Sequence, residues 1–422
     1  MSAAPPLRND CFALPPGVDW VPMATALDRL RAQITPITGC ETVPLGAALV
    51  GRVLSEDVHA RRANPPGGNS AVDGYAFAGP APEGLVELPL AEGRAAAGAP
   101  YSGRVPEGHA LRILTGAIVP EGVDTVVLQE DVVLDGGRIA FHGPLKARAN
   151  ARKAGEDVMV GQRLLPAARR LTPADIALMA SAGIADVPVR RRLRVGVLSN
   201  GDEVIAPGAV PPEHMGIGQI YDANRPMLLA QLSLWGYDPV DLGKAPDTRD
   251  GLRARLDAAR GEADAILSSG GVSTGDEDHV SSLLQDEGRI DTWRIAIKPG
   301  RPLALGLWHG TPVIGLPGNP VAALVCTLLF ARPALRQLAG ALWPSVLGFD
   351  VPAAFSKSKK PGRAEYLRAR LTANGEAEVF PSEGSGRISG LSWAEGLVEL
   401  DDGPRQIAPG DPVRFLPYAS FD

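Results

Sequence analysis

The sequence predicts a multidomain chain of α/β plus β class. It reads as a discontinuous helical domain, an inserted β domain, an α/β domain with a mainly parallel sheet, and a small C-terminal β barrel or sandwich. Three observations predict this. The length of 422 residues corresponds to roughly three domains at about 150 residues each. Glycine (49) and proline (39) are abundant and punctuate short β-type runs in two separate stretches. Between those stretches, strand-like and helix-like runs alternate, the pattern of a parallel sheet covered on both faces.

Taken in order, residues 1–21 form a Pro-rich arm. Val21, Ala24, Leu27, Leu30 and Ile34 recur at helical spacing. Pro44 through Leu54 reads as a second helix opened by proline. Short β-type runs follow at Leu85–Leu90, Ala110–Leu114, Thr125–Leu134 and Arg138–Phe141. Helix returns after Thr172, a good N-cap, with Pro173 at the first helical position and Gly183 to close the end. The helical domain is thus assigned to 22–57 and 152–192, with a β domain over 58–151 inserted into it.

From 193 to 345 the chain reads as α/β. Its strands are Leu193–Ser199, Val240–Leu242, Ala265–Ser268, Arg294–Ile297, Leu303–Leu307 and Val313–Gly315. Its helices are Pro226–Trp235, Arg249–Arg260, His279–Asp286 and Val321–Leu338. Residues 346–422 return to β character, with Asn374-Gly375 as a hairpin turn between Tyr366–Leu371 and Glu378–Phe380.

Composition narrows the function. With 42 basic and 48 acidic residues the net charge is −6, which speaks against coating nucleic acid. Apolar residues at 45% and charged residues at 21% exclude wholesale disorder. The cysteines Cys11, Cys40 and Cys326 form neither a CxxC pair nor a zinc pattern. The N-terminus lacks the basic and apolar regions of a signal peptide. The longest apolar stretch, Pro320 to Ala331, is about twelve residues against the ~20 that span a bilayer. A soluble cytoplasmic protein with no membrane or nucleic-acid partner is expected. The basic runs Arg190–Arg192 and Lys357–Lys360 read as solvated linkers.

Three loops should leave strand ends of the α/β domain, where open sheets bind ligands. Ser199-Asn-Gly-Asp-Glu203 carries two acids suited to a metal or to general-base work, or simply to a solvated turn. In the run from Ser268 to Asp278, Gly270 and Gly271 allow backbone amides to approach an oxyanion. The acids that follow there could hold a divalent cation or cap a helix. Gly315-Leu-Pro-Gly-Asn-Pro320 exposes the amides of Gly318 and Asn319 where a helix opens. Lys298-Pro-Gly-Arg301 adds two cations suited to phosphate or oxyanion. Gly271-Val-Ser-Thr-Gly275 also fits a nucleophile elbow, but the sequence offers no convincing later histidine. Walker A, dinucleotide and zincin patterns are absent.

Eight motifs, in order, resemble those of the molybdopterin molybdenumtransferase family. They are Asn69 to Ala76, Arg112 to Ala117, Gly155-Glu-Asp157, Gly201-Asp-Glu203, Gly218 to Asn224, Ser269 to Gly275, Ile297 to Pro302 and Leu316 to Val321. The resemblance implies a C-terminal barrel and an elongated homodimer. It also implies an active site shared between the α/β and C-terminal domains of one subunit and the inserted domain of the other. The implied substrates are adenylylated molybdopterin and molybdate. The implied chemistry is Mg²⁺-assisted hydrolysis of the adenylyl phosphoanhydride, with AMP released and molybdenum transferred to the dithiolene. A molybdopterin adenylyltransferase and molybdoenzyme-specific delivery proteins are the expected partners.

Carried over position by position, the resemblance implies catalytic roles for Asp73, Thr115, Asp157, Glu203, Asp247 and Asp278, with Glu203 and Asp278 on the metal. It implies substrate contacts for Ser269, Gly270, Gly271, Ser273, Arg294, Lys298, Arg301, Pro317, Gly318, Asn319, Arg368 and Ser385. Arg294 stands where lysine is usual. A non-catalytic carrier or scaffold on the same fold is the alternative, and an adenylyltransferase a third reading.

Overall fold

The computed structural model describes residues 20–270, 279–300 and 302–422. The chain divides into two compact units. One takes the N-terminal stretch to Glu41, Gly51–Val53 and Arg190–Asp422; the other takes Thr42–Val50 and Leu54–Val189.

The first unit is built on a six-stranded sheet. Its spatial order is Asp238–Lys244, Arg194–Ser199, Ala265–Ser269, Thr311–Leu316, Pro302–Trp308 and Arg289–Arg294. The first four strands are parallel, and the last two run antiparallel to their neighbours. Successive residues of a strand point to opposite faces, and the core divides accordingly. Val195, Val197, Leu267 and Ile314 join one cluster; Leu198, Ile266 and Val313 join another. The helices Met23–Gln33, Asn224–Leu234 and Arg332–Leu338 contribute to the first cluster, Arg249–Glu262 and His279–Glu287 to the second.

The first sheet thus carries the expected helices on both faces. One predicted strand is divided. Arg289–Arg294 stays in this sheet, while Ile297–Lys298 leaves it and pairs in parallel with Ala364–Glu365 of the C-terminal sheet. That switch places Lys298 beside the strand carrying Glu365.

The helical stretch after Asn319 runs as Pro320–Cys326, a π turn over Thr327–Ala331, and Arg332–Leu338. Pro333 cannot donate to the helical ladder, and the π turn just before it absorbs the disruption. Over 19 residues the stretch is long and apolar enough to span a membrane by composition, longer than the apolar run read from sequence, yet 83% of its apolar window is buried inside the protein.

The C-terminal part is strand-rich. Ile297–Lys298, Ala364–Leu371, Gly396–Leu400, Pro412–Pro417 and Phe349–Pro352 form a path of neighbours, with Ala377–Val379 added to Ala364–Leu371. The Asn374-Gly375 hairpin forms, with Gly375 at φ +79°. Lys357–Lys359 pairs with Arg405–Ile407. The run 357–360 is therefore not a solvated linker: Lys359 is buried and donates to the carbonyls of Lys360 (3.0 Å) and Gly403 (2.8 Å).

The second unit centres on a six-stranded sheet ordered Thr125–Leu128, Gly74–Phe77, Ala110–Ile113, Ala81–Ala95, Arg138–Leu145 and Val133–Asp135. Its described α-helix, Pro173–Ser181, begins at Thr172 with a reciprocal cap between Thr172 and Asp175. The expected helix over 44–54 does not form. Cys40–Pro44 is a strand, and only Ala47–Leu49 makes a 3₁₀ turn. Gly46 is extended and Gly51 sits at φ +79°, leaving too few residues between them to nucleate an α-helix. Met23–Gln33 packs Ala26 and Leu30 into the α/β core. Within 22–57 and 152–192 the described α-helices are Met23–Gln33 and Pro173–Ser181, and the remainder is short strands and turns.

Candidate functional site

Sheet register sets the site. Ser199 is paired with Ser269, and Ser269 with Leu316. The three loops that follow therefore leave the sheet at the same level, at the carboxyl ends of parallel strands. They line a cavity of about 1150 Å³, joined by Lys298-Pro-Gly300, Asp222, Asn224, Asp247 and residues 383–386.

Each loop is shaped by local constraints. Gly201 sits at φ +113°, and a Cβ there would lie 2.6 Å from Glu203 Oε2. Only glycine lets the Glu203 carboxylate fold back over its own turn. Lys244 Nζ braces this turn by donating to the carbonyls of Asp202 (3.3 Å) and Val204 (3.0 Å). Gly270 has φ +87°, and a Cβ on Gly318 would lie 3.8 Å from its Cα. Asn224 joins these two loops: its Nδ2 donates to Ser269 Oγ (2.8 Å) and to the Gly318 carbonyl (2.7 Å). Asn224 is buried, and its Oδ1 lacks a partner among the described residues.

Asp222 fixes the entry to that helix. It accepts from Ser199 Oγ (2.6 Å), Arg225 N–H (3.0 Å) and Arg225 Nε (3.1 Å). Burial lowers the Arg225 pKa, but Asp241 and Asp222 more than reverse this.

The cationic side of the cavity is already paired. Lys298 Nζ lies 2.5 Å from Glu383 Oε2 and 3.6 Å from Glu365 Oε1. Lys357 pairs with Glu365 (3.0 Å) and with Glu383. Burial raises the Glu383 pKa, but the two lysines outweigh it and hold the carboxyl below its ordinary value. The Ser385 carbonyl accepts from Val321 N–H at 3.3 Å, bringing this loop to the helix start.

Of the residues singled out by sequence, Glu203, Asp247, Ser269, Gly270, Lys298, Pro317, Gly318, Asn319 and Ser385 meet in this one cavity. Arg368 is buried behind it. Its guanidinium donates to the carbonyls of Ser382, Gly384 and Arg387, so it frames the 382–387 loop. Gly271, Ser273, Asp278 and Arg301 lie outside the described residues, as does the side chain of Arg294.

Asp73, Thr115 and Asp157 belong to the second unit. Asp73 Oδ1 accepts from both the N–H and the hydroxyl of Thr115, each at 2.6 Å. The hydroxyl bond, then the amide bond, holds the Asp73 pKa below its ordinary value. Asp157 instead accepts from Asn64 Nδ2 at 3.1 Å; no hydrogen bond among the described residues joins it to Asp73 or Thr115.

Sequence reasoning missed Asp222, Asn224, Glu383 and Lys357 as site residues. The Tyr-Asp-Ala-Asn run ending at Asn224 was a signal for the first two. Glu383, two residues before Ser385, was a weaker one, and Lys357 had none.

Three family models match the chain in sequence order. They describe the MoeA N-terminal region, domains I and II (residues 21–183), a probable molybdopterin binding domain (196–337) and the MoeA C-terminal region, domain IV (350–418). Fold and site thus define a multidomain protein of MoeA type, with mixed α/β sheets and a strand-rich C-terminal domain. Molybdopterin molybdenumtransferase of Haemophilus influenzae is 35% identical over 399 residues, 93% of this chain and 97% of the relative. That of Synechococcus elongatus is 32% identical, over 92% and 98%. The crystal structure of a molybdopterin biosynthesis MoeA protein from Pyrococcus horikoshii OT3 superposes with a TM-score of 0.80 at 29% identity, covering 95% of this chain and all of that one. The chain belongs to the molybdopterin molybdenumtransferase family, enzymes of molybdenum cofactor biosynthesis.

Proposed function

We propose that this enzyme takes adenylylated molybdopterin and molybdate, hydrolyses the adenylyl phosphoanhydride with Mg²⁺, releases AMP and forms molybdenum cofactor. The observation that carries the reading is the meeting of three strand-end loops and Lys298 in one cavity. Backbone amides and a cation suit both a phosphoanhydride and a tetrahedral oxyanion.

The donor chemistry suits Mg²⁺. Glu203 and Asp247 line the cavity and have no ion pair among the described residues. Mg²⁺ is held by one or two carboxylates together with substrate phosphates and waters. Glu203 would hold it together with Asp278, which lies outside the described residues, and Asp247 is a further carboxylate in the cavity; bound there, the ion would neutralise phosphate charge. The chain's own residues do the rest. Gly270 and Gly318 permit close approach of backbone to the anion. Asn224 keeps those two loops in fixed relation. Lys298 supplies the cationic contact for oxyanion. Asp73, oriented by Thr115, would be the acid that the inserted domain of a second copy contributes.

A homodimer, a molybdopterin adenylyltransferase as the source of substrate, and delivery proteins for the product form part of the same proposal. The test is AMP release from adenylylated molybdopterin with Mg²⁺, with and without molybdate. Molybdate-dependent release with metal-loaded cofactor supports the reading. Tight binding without release converts it to a carrier, and AMP-ester formation from ATP and molybdopterin converts it to an adenylyltransferase.

A further inference from the structure

Lys298, which lines the cavity, and Lys357, which shares its partners, carry two carboxylates, and the two are not equivalent. Glu365 lies in the strand Ala364–Leu371, directly across from Lys298 in the ladder, and is 7% exposed. Glu383 lies in a loop outside any helix or strand, lines the cavity, and its side chain is 46% exposed. One acid is built into the sheet; the other reaches in from solvent.

Charge counting shows what this means for an incoming anion. Lys298 and Lys357 are matched by Glu365 and Glu383, so the cluster is neutral overall. A dianion approaching it gains little until one carboxylate withdraws. With Glu383 rotated away, two cations face one fixed carboxylate, and the position becomes attractive to an anion. Glu365, 7% exposed, has no comparable path to solvent.

The backbone is arranged to let the side chain move alone. Arg368 donates to the Ser382, Gly384 and Arg387 carbonyls, on both sides of Glu383. Val321 N–H donates to the Ser385 carbonyl. Rotation about the side-chain bonds of Glu383 leaves all of these in place.

We propose that Glu383 is a displaceable counter-ion: it occupies the oxyanion position at Lys298 and Lys357, and a tetrahedral dianion binds by exchanging with it. Glu383 thereby sets the affinity for molybdate. This rests on reading the cavity as an oxyanion site, and the experiment separates the two.

The measurement is calorimetric titration of the full-length protein with sodium molybdate at fixed ionic strength, repeated with sulfate as a second tetrahedral dianion. Glu383→Gln removes the competing charge and is expected to tighten both by roughly 1.5- to 5-fold, the scale of a partly exposed ion pair. Lys298→Ala is expected to lose binding. Unchanged or weaker binding by Glu383→Gln, with Lys298→Ala still defective, overturns the counter-ion role and leaves the oxyanion site standing. Wild-type binding by Lys298→Ala overturns the site itself. Should the glutamine variant not fold, Glu383→Asp decides. It keeps the charge but shortens the reach, so tighter binding supports the exchange and unchanged binding overturns it.

Discussion

Asp73 and Glu383 are both carboxylates held below their ordinary pKa, by opposite means. Asp73 is held chiefly by neutral donors, the hydroxyl and amide of Thr115, with a smaller pull from the Arg112 charge. Its negative charge is oriented but not cancelled. Glu383 is held by two ammonium groups, against the penalty of burial, and its charge is matched. A lowered pKa therefore does not by itself mark a catalytic acid. The partner decides: neutral hydrogen-bond donors leave a carboxylate available to a metal or a proton, whereas cations make it a counter-ion.

The largest expected effect lies on the cationic side. Lys298→Ala should lower molybdate-dependent AMP release by about 10²- to 10³-fold, the range for losing one preorganised charge-stabilising group. It also leaves Glu365 and Glu383 with one lysine between them. A loss below tenfold would mean that the cavity does not depend on a cation at that strand.

Next is Asp73→Asn, expected to lower turnover by about 10²-fold while molybdate binding in the other unit stays as in wild type. Circular dichroism should show an intact fold. Loss of molybdate affinity in this variant would remove the contrast between an acting carboxylate and a counter-ion.

Gly201→Ala tests the loop geometry. A side chain at φ +113° is strained by about 1–3 kcal/mol, and its Cβ would displace the Glu203 carboxylate. Reduced stability in urea together with a raised Mg²⁺ requirement is expected. Lower stability with an unchanged Mg²⁺ requirement would separate Glu203 from the metal.

Local signals were the legible ones. Gly201, Gly270 and Gly318 read as strand-end turns because their conformations are written in adjacent residues, and the sheet register then assembled them. The Thr172 cap was legible for the same reason. The helix expected over 44–54 does not form because the extended Gly46 and the left-handed Gly51 outweigh the helix-opening proline at its start. The lysine–glutamate cluster was illegible because Lys298, Lys357, Glu365 and Glu383 come from four separated segments. In sequence, Lys357 belongs to a basic run that looks solvated, and only the pairing of Ile297–Lys298 with Ala364–Glu365 reveals its surroundings.

The smallest effect is also the most direct test of what Thr115 does. Thr115→Val deletes the hydroxyl donor to Asp73 and keeps the amide. The Asp73 pKa should rise toward its ordinary value without reaching it, and a carboxyl-carbon NMR titration should show the higher midpoint. The sign of the linkage follows. A depressed folded-state pKa contributes stability above the unfolded value, near 4, and that contribution fades as pH falls through the folded value. Thr115→Val should therefore narrow the difference in stability between neutral and strongly acidic solution. An acid limb of turnover governed by Asp73 should move to higher pH with the NMR midpoint. If the midpoint moves and the acid limb does not, Asp73 is oriented by Thr115 but does not set the pH dependence of the reaction. If neither moves, the hydroxyl bond is not what holds the carboxylate, and the contrast with Glu383 loses its physical basis.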